Sequence, residues 1–63
     1  MSATKLLTEA QTLSSVSARL DSLADQNPAV SEALLVISGN IRDYAVLLEL
    51  LVTTRMSPDL KLQ

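Results

Sequence analysis

The chain has 63 residues, a formal net charge of -2 at pH 7, and 48% hydrophobic residues with a single aromatic side chain among them. It contains neither cysteine nor histidine, which excludes disulfide bonds, thiolate metal sites and the commonest metal ligand and general base. A chain of this length buries only about 60% of its unfolded surface, so we expect one domain that gains stability by associating with a second copy.

The first residues carry no pattern of a secretory signal, because the Leu6-Leu7 pair is soon interrupted by polar residues. The longest apolar-rich stretch, residues 45–52, contains Glu49. This stretch is also far shorter than the roughly 18 residues that a membrane span requires. We therefore expect a cytoplasmic protein that has no membrane-embedded segment.

The first predicted helix covers residues 3–25, with Ser2 or Thr4 as its N-cap and no internal glycine or proline. Small side chains recur in it every seven residues, and leucines recur between them on the same interval. This pattern is typical of a helix that packs one stripe closely against a partner helix. The small positions are Ala3, Ala10, Ser17 and Ala24, and the large positions are Leu6, Leu13 and Leu20.

The chain is predicted to reverse at Asn27-Pro28, where Asn27 is the N-cap of a second helix and Pro28 is its first residue. The second helix ends before Ser57-Pro58, because a proline disfavours helical geometry in the residue that precedes it. The residues that follow are expected to be loosely ordered. The predicted segments are a turn at 26–28, a second helix at 28–56 and a tail at 57–63.

The pair Gly39-Asn40 leaves an alternative open, a three-helix bundle in which Gly39 caps one helix and Asn40 starts the next. We favour a single continuous helix, because the apolar repeat passes through this point without changing phase. A glycine inside a helix costs only about 1 kcal/mol relative to alanine.

Large apolar residues of the second helix recur at alternating steps of four and three, which predicts a seam that packs against the first helix. Antiparallel pairing then sets Ser17 against Ile37 and Ala10 against Tyr44, so that each small residue faces a large one. The predicted fold is an all-α antiparallel two-helix hairpin in which Tyr44 fills the core. The residues of this predicted seam are Val30, Leu34, Ile37, Ile41, Tyr44, Leu48 and Leu51.

The second helix carries more apolar surface than one partner helix can cover. The first helix offers Leu7, Val16 and Leu23 outside its own seam, and two copies that join these flanks give a homodimer in the form of a four-helix bundle. Asn40 lies on the flank, where a polar group can fix the register between protomers. The predicted interface consists of Ala33, Val36, Asn40, Leu47 and Leu50, and the predicted outward polar strip of Ser31, Ser38, Arg42, Glu49 and Thr53.

No pattern in the sequence supports catalysis, a cofactor or a metal site. The serines and threonines have no histidine to activate them, and one glycine cannot build a phosphate-binding loop. We therefore expect a noncatalytic self-associating helical module that acts as a scaffold or an inhibitor through helix-to-helix packing. The alternative is a small dimeric nucleic-acid-binding regulator, which the negative charge and the dispersed basic side chains disfavour.

Overall fold

The computed structural model describes residues 2–56 as two long helices that pack against each other in an antiparallel hairpin. This confirms the predicted all-α hairpin. The predicted tail at 57–63 lies outside the described residues. The elements in chain order are helix α1 at Ala3–Gln26, a 3₁₀ turn at Pro28–Val30, helix α2 at Ser31–Leu51 and a π-helical segment at Val52–Met56.

Helix α1 begins at a side-chain cap and ends at another. The Ser2 hydroxyl oxygen accepts the backbone N–H of Lys5 at 3.1 Å, which confirms one of the two predicted N-caps. At the other end, the Asn27 side-chain amide donates to the carbonyl of Leu23 at 2.8 Å. Asn27 therefore caps the end of α1, and its predicted role as the N-cap of the second helix is wrong. The reason is that the 3₁₀ turn at Pro28–Val30 separates Asn27 from α2; Asn27 instead precedes this turn, with Pro28 as its first residue and with no side-chain cap bond.

Helix α2 passes through Gly39 without a break. The three-helix alternative is therefore not adopted. A Cβ atom added at Gly39 would meet nothing within 4 Å, so this glycine does not serve a close approach between the helices. The continuous backbone hydrogen bonding of a 21-residue helix outweighs the local cost of about 1 kcal/mol for a glycine in its interior.

The seam between the helices is built on small side chains from both helices. In α1 the buried residues are Ala10, Ser17 and Ala24, at the positions that the repeat predicts. In α2 the buried residues are Ser38 and Ala45. The predicted seam of the second helix is therefore wrong in part, by a rotation of about half a residue, or roughly 50°. Its positions Val30, Ile37, Tyr44 and Leu51 are exposed, whereas Leu34, Ile41 and Leu48 are half-buried.

Close approach of the two backbones explains this rotation. The Ser17 hydroxyl donates to the carbonyl of Ser38 at 3.1 Å, and the two hydroxyl oxygens are 2.8 Å apart. A side chain as large as Ile37 or Tyr44 at this level would hold the helices too far apart for such contacts. The predicted pairs of Ser17 with Ile37 and of Ala10 with Tyr44 are accordingly not formed, since Tyr44 is 61% exposed.

The same rotation changes the predicted polar strip. Ser38 is fully buried and Ser31 is half-buried. The prediction that both lie on the outward surface is therefore wrong. Arg42, Glu49 and Thr53 are exposed. A serine can occupy a buried seam because its hydroxyl is small and can form its hydrogen bonds with groups of the opposite helix.

The last turn of the hairpin leaves regular α-helical geometry at Val52, which is buried. The hydroxyls of Thr53 and Thr54 both donate to the carbonyl of Leu50, at 3.2 and 2.6 Å. Side-chain hydroxyls that bond to a helix carbonyl compete with the backbone N–H for that acceptor. This competition accompanies the change to a wider helical turn at the end of α2.

Candidate interaction surface

Helix α2 exposes a long row of large apolar side chains that α1 does not cover. Residues at steps of three and four lie on one side of a helix, so these side chains form a single surface, which we call the apolar face. Val36 is 60% exposed and Leu47 is 57% exposed, as much as many polar residues. The apolar face consists of Val30, Ala33, Val36, Ile37, Asn40, Tyr44, Leu47, Leu50 and Leu51.

All five residues of the predicted interface lie on this face. Ala33, Val36, Asn40, Leu47 and Leu50 are each exposed, and the unbroken course of α2 through Gly39 keeps them on one rigid element. Asp43 is also exposed and lies seven residues from both Val36 and Leu50. The face is therefore apolar with two polar interruptions near its middle, an amide and a carboxylate.

The predicted interface leaves out four residues that the structure adds to the face. Val30, Ile37, Tyr44 and Leu51 were assigned to the intramolecular seam, and all four are exposed. A signal for the correct seam is present in the sequence, because Ser31, Ser38 and Ala45 recur every seven residues, as the small residues of α1 do. Pairing the small-residue repeat of α2 with that of α1 predicts a seam of small residues. The large residues of α2 then lie on its exposed side.

One end of the apolar face is concave. Near the turn, where small residues leave room, the surface forms a shallow and open depression. Its floor and walls come from the 3₁₀ turn and the first two turns of α2. The residues that line it are Ala29, Val30, Glu32, Ala33, Val36 and Ile37.

A polar cluster joins the two helices along another edge of the seam. The Arg42 guanidinium donates to one oxygen of the Asp21 carboxylate at 2.7 Å, and the Ser38 hydroxyl donates to the other at 2.5 Å. Ser38 also lies 2.9 Å from the carbonyl of Ser17. Because a hydroxyl has one proton and a carboxylate is the stronger acceptor, the Ser38 hydroxyl donates its one hydrogen bond to Asp21. The cluster fixes the level at which α1 and α2 pair.

The described chain gathers no groups for metal or phosphate chemistry. Within residues 2–56, no three Asp or Glu side chains lie close enough together to hold a metal ion. The basic side chains of these residues are scattered: Lys5 lies at the start of α1, Arg19 later in the same helix and Arg55 after the end of α2, and Arg42 is paired with Asp21. Over the same residues, neither helix is long and apolar enough to cross a membrane.

Comparisons with known proteins add no assignment to this geometry. No protein-family model, no curated protein and no solved structure matches the chain.

Proposed function

We propose that this chain is a noncatalytic interaction module that self-associates through the apolar face of α2 and serves as a scaffold or an inhibitor. The observation that carries the proposal is the contrast between the two sides of α2. One side is sealed against α1 by small residues such as Ser38 and Ala45, and the other leaves side chains such as Leu47 open to water. Exposed apolar surface of this kind is typical of protein interaction sites.

The energetics of the face favour association. It holds seven large apolar side chains that are each about half exposed. Burying the open half of one such side chain contributes about 1 kcal/mol, so two copies together gain about 14 kcal/mol. Association costs about 4–15 kcal/mol in lost translational and rotational freedom. A dimer at micromolar concentration needs a net gain of about 8 kcal/mol, which the face supplies when the cost of association is about 6 kcal/mol, within this range.

The expected dimer is a four-helix bundle. Each hairpin contributes one sealed helix pair and one open face, and two copies that meet at their open faces form an assembly of four helices. This arrangement gives the second copy the role that disulfides or metals play in other small folds.

Sedimentation equilibrium tests the proposal. The wild-type chain should sediment as a dimer at micromolar concentration, and Leu47→Glu should shift it to monomer because a carboxylate would have to enter the apolar centre. Leu35→Glu is the matched control, since Leu35 is 50% exposed but lies on another side of α2. Leu35→Glu should leave the dimer intact.

Two results would overturn the proposal. A wild-type chain that stays monomeric at these concentrations would remove self-association, and the face would then be available to a different protein. Equal loss of the dimer in both variants, with helical content retained, would show that the two copies do not meet at the apolar face.

Titration with RNA or duplex DNA at low salt tests the nucleic-acid alternative, which requires binding that weakens as salt rises.

A further inference from the structure

The two ends of the apolar face differ in shape. Near the turn the face has a shallow depression, with Ala29 and Ala33 among the residues that line it. Toward the other end it carries large exposed side chains, Tyr44 and Leu47 among them. A two-fold symmetric interface uses the same patch on both copies, so the patch must complement itself. A hollow at one end and bulk at the other satisfy this condition only when the two copies run in opposite directions.

We infer that a second copy of this chain covers the apolar face with its α2 antiparallel to the first, and that the two-fold axis passes beside Asn40. In this arrangement Leu47 enters the depression around the partner's Ala33, and the partner's Leu47 enters the depression around Ala33. The inference deepens the proposed function and rests on it, because it specifies how the self-associating face is covered.

The spacing along α2 sets the position of the axis. Ala33, Asn40 and Leu47 are seven residues apart and therefore lie in one line along the helix. Asn40 is midway between the small residue in the depression and the large residue that fills it. A two-fold axis at Asn40 exchanges these two positions, and it also brings Val36 level with the partner's Tyr44.

Charge along α2 favours the same direction. In a parallel pair, Asp43 would face the partner's Asp43 and Glu32 would face the partner's Glu32, and like charges placed opposite each other disfavour a complex. In the antiparallel pair the two Asp43 carboxylates are about 9 Å apart along the helix, and the two Glu32 carboxylates about 24 Å, at a rise of about 1.5 Å per residue. The antiparallel pair therefore separates both sets of like charges.

The side chain of Asn40 is suited to a position on the two-fold axis, where it meets its own copy. A side-chain amide carries both donors and an acceptor, so two Asn40 amides that meet at the axis can bond to each other. A polar residue within an apolar helix interface disfavours shifted registers, because a shift leaves it unpaired. Asn40 thus fixes the register of the two copies.

Cysteine cross-linking tests direction and register directly, because the chain has no native cysteine. Asn40→Cys should form a disulfide-linked dimer under mild oxidation. Ala33→Cys and Leu47→Cys should each fail to link to themselves, since each position lies about 21 Å along the helix from its own copy and a disulfide requires Cα atoms about 4.4–6.8 Å apart. A mixture of Ala33→Cys with Leu47→Cys should form a linked heterodimer. Ala18→Cys, exposed on α1, is the control that should remain unlinked.

The outcomes separate this inference from the proposed function. If Ala33→Cys and Leu47→Cys each link to themselves, the copies are parallel and the inference is overturned while the proposed self-association stands. If the wild-type chain is dimeric but neither Asn40→Cys nor the mixture links, another face is used and the inference is again overturned. If sedimentation gives a monomer, the proposed function itself fails. Linking in the mixture supports the inference even where Asn40→Cys weakens the dimer.

Discussion

Replacing Ser38 by leucine should destabilise the hairpin strongly, because several hydrogen bonds between the two helices converge on this buried position. The Ser38 hydroxyl oxygen lies 2.9 Å from the carbonyl of Ser17 and 2.5 Å from an Asp21 carboxylate oxygen, and the residue is fully buried. A leucine side chain has no space there unless α1 and α2 move apart.

The size of the effect follows from two terms. Inserting extra methylene groups into a tightly packed site costs about 1–3 kcal/mol. The lost hydrogen bond from Ser38 to Asp21 adds about 1 kcal/mol. This value is small for a bond to a charged acceptor, because the Asp21 side chain is 40% exposed to water. The expected loss is about 2–4 kcal/mol, a large share of the roughly 3–9 kcal/mol of stability that a domain of this size has.

Urea denaturation followed by far-ultraviolet circular dichroism measures this loss, at one protein concentration for every variant. Ser22→Leu is the matched control, because Ser22 is exposed on α1 and the same substitution there should change stability by no more than about 0.5 kcal/mol. If Ser38→Leu proved as stable as Ser22→Leu, the small-residue seam would be refuted, and the seam centred on Ile37 would regain support.

Three further outcomes are expected from the same denaturation assay. Gly39→Ala should raise the free energy of unfolding by about 0.5–1 kcal/mol, because the added methyl group meets open space; a loss of stability would contradict that geometry. Ser2→Ala should lower it by about 1 kcal/mol through loss of the N-cap bond to Lys5, and no change would mean that this helix end is frayed in solution. Arg42→Met should cost less than about 1 kcal/mol, because its ion pair with Asp21 is largely exposed; the difference from wild type should shrink as salt rises, and a salt-independent loss above 2 kcal/mol would argue for a buried pair instead.

The sequence alone was sufficient to predict the two helices and the stripe of α1 that packs. A segment without glycine or proline between Ser2 and Asn27, followed by a proline, defines the first helix and the reversal. The seven-residue repeat of Ala10, Ser17 and Ala24 identified the buried stripe of α1, because in that helix the small residues and the leucines point to the same side. Local propensity and periodicity agree there, and the prediction is confirmed.

Periodicity could not decide which side of α2 packs on α1. That helix has apolar residues around most of its circumference, so a seam of large residues through Ile37 and Tyr44 fits the period as well as a seam of small residues through Ser38 and Ala45. The predicted interface residues were placed on the exposed side, but their neighbours Ile37 and Tyr44 were assigned to the core. The five predicted residues therefore describe only part of the apolar face.

By itself, the sequence determined that the chain folds into two helices and which stripe of α1 is covered, since these depend on neighbours three or four residues apart along one helix. Only the tertiary structure decided the rotation of α2. Contact between the hydroxyl of each serine and the backbone carbonyl of the other, at Ser17 and Ser38, requires small residues from both helices to meet, and these residues are 21 apart in the chain. That choice turned the large apolar residues of α2 outward and created the surface that a second copy is proposed to cover.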